Sequence, residues 1–174
     1  MATRITTTAA DTAKDAVHFT PTAVCRSFSR LLVALAGHVE AERDIQHVSC
    51  WDPAFMDWGR QAERARDEVL SSLDAVDRAA PERPEDRPLQ RIALLTGSMI
   101  RTTDAEEFAH LHGLVDRFPG LFSCPAASAA SLRVNQMLVT AKARLADLAT
   151  LSEYVDADAP DAMMPAGDVP PLAM

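Results

Sequence analysis

Apolar residues recur every three or four positions over most of this 174-residue chain, and no other feature of the sequence constrains the fold as strongly. This spacing is the period of an α-helix with one buried side. No window shows the strict alternation that marks a half-buried strand. Alanine, the best helix former, is abundant, and the chain contains only 6 Gly. The sequence therefore predicts an all-α protein.

The pattern divides into about five helices, three long and two short. The first opens at Thr20-Pro21 and the second at Asp52-Pro53, in each case a capping residue followed by proline. The second helix carries a nearly heptad apolar stripe and ends where the prolines of residues 81–88 begin. The third starts at Pro88. Short links between such helices favour an antiparallel bundle.

The rest of the chain has its own start and stop signals. The fourth helix opens with a capping box in which Thr103 and Glu106 exchange hydrogen bonds with first-turn amides. Pro119-Gly120 then predicts a type II turn, with glycine at positive φ. The last helix is predicted from Ala126 to Tyr154.

The two ends of the chain lack the helical period. Residues 1–18 are rich in Thr and Ala, which predicts a disordered arm before a bundle domain of residues 19–154. Residues 155–174 contain 4 Asp, 4 Pro and no basic residue, which predicts a disordered acidic tail.

Composition narrows the function classes. The formal net charge is -8, whereas a protein that binds nucleic acid through phosphates normally presents a basic face. No apolar run approaches the ~20 residues that a membrane helix needs. Three cysteines without a C-x-x-C pair favour neither zinc nor a disulfide framework, and are typical of a reducing cytoplasm. The excess of Arg over Lys favours a bacterial source.

His38 and Glu42 are the most informative polar residues. Both project into the apolar arc of the first helix, where a carboxylate is costly unless it is paired. One interpretation is a buried ligand-binding site, for example a metal-ligand pair at i,i+4. The other is a structural pair, with Glu42 reaching toward solvent and bonded to His38 or to an arginine of another helix.

Three further kinds of chemistry have weaker support. A di-iron bundle would use the Glu107-x-x-His110 motif, but His110 and Glu63 both project away from their apolar faces. His110 could instead act in histidine phosphotransfer, although His112 stands where such domains usually carry lysine. Cys50 near a helix start could be a nucleophile, but no third orienting group accompanies it. The sequence predicts no cofactor and no resident metal.

The last helix is apolar on two sides, since Leu132 and Val139 lie opposite its main stripe. Such a helix is either central in the bundle or presents a second surface to a partner. The sequence therefore predicts a non-catalytic helical module that binds a protein partner, or itself, through this helix. Ligand binding at His38 and Glu42 and phosphotransfer at His110 remain the alternatives.

Overall fold

A computed structural model of the chain describes residues 19–46, 55–151 and 154. These residues form five α-helices and a 3-10 helix and contain no strand, which confirms the all-α prediction. The helices are α1 (Ala23–Gln46), α2 (Phe55–Arg78), α3 (Asp86–Arg101), α4 (Ala105–Arg117) and α5 (Ala129–Leu148), with the 3-10 helix at Pro119–Phe122. The predicted arm of residues 1–18, the predicted tail of residues 155–174 and the start predicted at Asp52-Pro53 lie outside the described residues. The antiparallel order stays a prediction.

The core forms where the apolar stripes of the helices meet. α1 packs mainly on α2, while α3 contacts α1, α2, α4, α5 and the 3-10 helix. The largest fully buried apolar side chains come from α1, α3, α5 and the residues after it: Phe28, Leu31, Leu35, Leu89, Ile92, Met99, Ile100, Leu138, Leu145, Leu148 and Leu151. The shorter helix α3 is therefore central in the core.

Two predicted helix starts are wrong in detail. Thr22, not Thr20, caps α1, because its hydroxyl oxygen accepts the amide of Cys25 at 3.1 Å. Asp104, not Thr103, caps α4, and its carboxylate accepts the amides of Glu106 and Glu107. A carboxylate is favoured here because it also interacts with the positive end of the helix dipole.

The turn predicted at Pro119-Gly120 is also wrong. Residues Pro119–Phe122 form a 3-10 helix, and no glycine in the described part of the chain has positive φ. The φ of proline is compatible with a 3-10 helix, and Phe122 is buried in the core. Burial of that ring decides the path of the segment.

The alanines of the α2 stripe offer a test of packing. Ala62 is buried, whereas Ala65, one turn later, is only half-buried. Replacing Ala62 by Leu should lower the free energy of unfolding by about 2 kcal/mol through overpacking, and Ala65→Leu by less than about 1 kcal/mol. Urea denaturation measures both, and equal effects would contradict the packing described.

Candidate functional site

His38 lies in the interior, as the apolar arc predicted, with 0% of its surface exposed. Its Nδ1 is 3.7 Å from Oε1 of Glu42, whose side chain is 20% exposed. Among the residues that the structure describes, neither ring nitrogen of His38 has a hydrogen-bond partner. Because a buried donor or acceptor normally finds a partner, this imidazole is an exception in the core.

The surroundings of His38 disfavour its charged form. Burial, and then the positive charge of Arg66, lower the pKa of His38 from 6.5 to about 4. Arg66 is held by a 2.7 Å hydrogen bond from its guanidinium to the carbonyl of Ile100. The carboxylate of Glu42, at 3.7 Å, is too far for a hydrogen bond and does not offset these effects. His38 is therefore neutral at pH 7.

This shift predicts a pH-dependent stability. Between pH 6.5 and about 4 the unfolded chain protonates His38 while the folded protein does not. The contribution is thus fully present above pH 6.5 and is lost as the pH falls toward 4, by about 3 kcal/mol in total. Urea denaturation across this range should show a shallower loss for His38→Leu than for the wild type. Equal losses would contradict a neutral, buried His38.

The other predicted ligands do not gather around His38. Glu63 on α2 and His110 on α4 are both exposed, as the helical period predicted. Among the residues that the structure describes, no group of three or more His, Cys, Asp or Glu side chains is placed to hold a metal ion. Cys50 lies outside the described residues. His110 is an accessible imidazole.

A second polar centre, built around Asp86, escaped sequence analysis. Asp86 is 1% exposed in the first turn of α3. Oδ1 of Asp86 accepts the hydroxyl of Thr22 at 2.7 Å and the thiol of Cys25 at 3.8 Å. Oδ2 accepts the amides of Glu82 and Arg83 at 2.8 and 3.1 Å. This one carboxylate therefore joins the start of α1, the loop between α2 and α3, and α3 itself.

Two thiols border this carboxylate. Burial raises the pKa of Cys25, and the negative charge of Asp86 acts in the same direction. Burial also raises the pKa of Cys124, and the negative charges of Glu85 and Asp86 act in the same direction. Both cysteines are therefore protonated at pH 7 and are weak nucleophiles.

The hydrogen bonds of Asp86 predict a large effect of its removal. Asp86→Ala leaves the hydroxyl of Thr22 and two amides without their acceptor, so the free energy of unfolding should fall by about 3 kcal/mol. Asp116→Ala, at an exposed position of α4, should change it by less than about 0.5 kcal/mol. Chemical denaturation measures both variants. Similar stabilities would show that Asp86 does not hold these elements together.

The side of α5 that carries Leu132 and Val139 is exposed, which is one of the two arrangements that its apolar pattern permits. Leu132 is 60% exposed and Val139 is 66% exposed, while Val134, Leu138 and Leu145 on the other side are buried. Gln136 and Ala143 are also exposed and continue the same row. The gaps of 4, 3 and 4 along Leu132, Gln136, Val139 and Ala143 are those of a helix–helix seam. We call these four residues the outer row of α5.

The first turn of α5 is firmly fixed. Ser128 and Ser131 form a reciprocal capping box. One turn later, the side chain of Asn135 accepts the amide of Cys124 and donates to its carbonyl, both at 2.8 Å. The outer row is therefore carried by a helix whose start is held in place.

None of the helices described here combines the length and the apolar character needed to cross a membrane. Comparison with protein-family models, with curated proteins and with solved structures finds no significant match to this chain.

Proposed function

We propose that this chain is a non-catalytic protein-interaction module of the bacterial cytoplasm that binds a helix of its partner along the outer row of α5. The exposure of Leu132 and Val139 carries this proposal. These two side chains lie seven residues apart, so they recur on the same side of the helix after two turns. Exposed apolar side chains aligned in this way bury their surface when a second helix packs against them.

The outer row is partly polar and offers only two large apolar side chains, which favours reversible binding of the partner. Gln136 lies between the two apolar residues, and Ala143 leaves room for close approach of a helix axis. Two large apolar side chains and one amide make a narrow seam, which is typical of an interaction that is not permanent. The partner is another protein or a second copy of this chain.

Paired substitutions test the proposal. Leu132→Ser with Val139→Ser should weaken association with a partner at least about tenfold, because both apolar contacts are lost. Leu94→Ser with Met56→Ser removes two apolar side chains of similar exposure from α3 and α2 and serves as the matched control. Sedimentation of the purified protein reports self-association, and co-purification from the source organism reports another partner. Unchanged association in the outer-row variant would refute this role of α5.

A second candidate is ligand binding at His38 and Glu42. The two unbonded ring nitrogens of His38 favour it, since a small ligand or an ion could occupy the positions that hydrogen-bond partners normally take. Metal analysis of protein purified without chelator tests this directly. Stoichiometric metal that is lost in Glu42→Ala, with the fold retained, would support it over the interaction module. Phosphotransfer through His110 stays a prediction from the sequence.

A further inference from the structure

A groove runs between the first halves of α1 and α5 and adjoins the outer row at Gln136. Its main part, a cavity of about 490 Å³, is lined by Arg26, Arg30 and Arg133 together with Phe19, Pro21 and Met137. A neighbouring cavity of about 280 Å³ shares Arg133 and Met137 and extends to Leu32 and Val33. We call this surface the arginine groove.

The arginine groove is basic, although the chain as a whole is acidic. No acidic side chain of the described residues lines either cavity. Arg26 donates to the carbonyl of Pro21 at 2.7 Å and Arg133 donates to the side chain of Gln136 at 2.9 Å, and both acceptors are uncharged. Within residues 19–46 and 55–151, several other arginines form ion pairs, but Arg26, Arg30 and Arg133 do not. These three guanidinium groups therefore form no ion pair within the described part of the chain.

The lining also has an apolar component. Met137 lines both cavities and is buried, and Val33 is one of the most exposed apolar side chains among the described residues. Arginines beside apolar surface fit a segment that carries carboxylates next to apolar side chains. Oxygen atoms would face the guanidinium groups while the apolar side chains cover Met137 and Val33.

The C-terminal segment 155–174 has this chemistry. It contains 4 Asp and no basic residue. Asp161 and Asp168 lie on either side of Met163 and Met164, whose flexible thioether side chains adapt to irregular apolar surfaces. The N-terminal segment 1–18 is a poorer fit, because its two basic residues balance its two acidic ones.

The segment is long enough to reach the groove. Its starting point is fixed by Tyr154, whose ring stacks on Phe108 with 4.3 Å between the centroids. Met137 lies about 16 Å back along α5 from Leu148, at 1.5 Å per residue. Residues 155–162 span up to about 26 Å when extended, which exceeds this distance along the axis of α5.

The starting point itself disfavours a path along α4. Asp104, Glu106 and Glu107 surround the first turn of α4, just before Phe108. An acidic segment that begins there is repelled by these carboxylates and attracted by the arginines of the groove.

We propose that residues 155–174 dock in the arginine groove of their own chain, with Asp161 and Asp168 facing its arginines and Met163 and Met164 covering Met137 and Val33. The groove is then an intramolecular docking site for an acidic, methionine-containing segment. The groove shares Gln136 with the outer row of α5, but the docking of residues 155–174 does not depend on Leu132 or Val139.

Hydrogen–deuterium exchange of the full-length protein at low ionic strength tests the docking. Backbone amides of residues 161–168 should exchange about tenfold more slowly than in an unstructured peptide of the same sequence, which corresponds to docking in about nine molecules of ten. The retardation should disappear in Arg30→Gln with Arg133→Gln. It should also decrease in about 0.5 M NaCl, because salt screens exposed charges.

Arg83→Gln with Arg117→Gln is the matched control, since it removes two exposed arginines outside the groove and should leave the exchange unchanged. A charge swap guards against indirect effects: Arg30→Glu and Arg133→Glu should abolish the retardation, and adding Asp161→Arg and Asp168→Arg should restore it. Thermal unfolding checks that every variant is folded.

Three results would overturn the proposal. The first is exchange of residues 161–168 at the rate of the free peptide in the wild type. The second is retardation that survives loss of the groove arginines, and the third is protection that increases with protein concentration, since the docked segment would then come from a second molecule.

Discussion

The carboxylate of Asp86 is the interaction on which the arrangement of the helices depends. A buried charge is tolerated only when donors surround it, and here a hydroxyl, two backbone amides and a thiol do so. These donors come from the start of α1 and from the loop that precedes α3. The contact therefore fixes the first turns of α1 and α3 relative to each other, and the core packs between helices whose starts are already aligned.

The helical period predicted the number, type and buried sides of the helices because burial of one side is a local property of the sequence. The period did not predict where the helices begin and end, because contacts between residues distant in the sequence determine those positions. Thr20 and Thr22 are both possible caps for α1, and Thr22 is used because its hydroxyl also donates to Asp86. The segment after α4 contains the residues of a turn, yet burial of Phe122 makes it a 3-10 helix.

The same limit applies to the candidate sites: positions on a single helix were predictable, and contacts between helices were not. Periodicity placed His38 in the interior and Leu132 and Val139 on an outer side of α5, since each prediction needs only a position on one helix. The lack of partners for the ring of His38 depends on where α2 and its Arg66 lie, which the sequence of α1 does not contain. Asp86 stands among prolines and charged residues in a segment without a period, so nothing distinguished it from exposed neighbours. The arginine groove combines residues more than 100 positions apart in the sequence.

The distribution of hydrogen bonds has a consequence for how the folded protein opens. Asp86 and the pair of bonds from Asn135 to Cys124 secure the region where α1, α3 and α5 begin. His38 lies about 20 Å further along α1 from Cys25, at 1.5 Å per residue. Its ring nitrogens form no hydrogen bond with the described residues. Separating the helices near His38 exposes an imidazole that gains hydrogen bonds to water, whereas separating them near Asp86 breaks bonds already formed. We therefore expect local opening of this bundle to occur more readily around His38 than around Asp86.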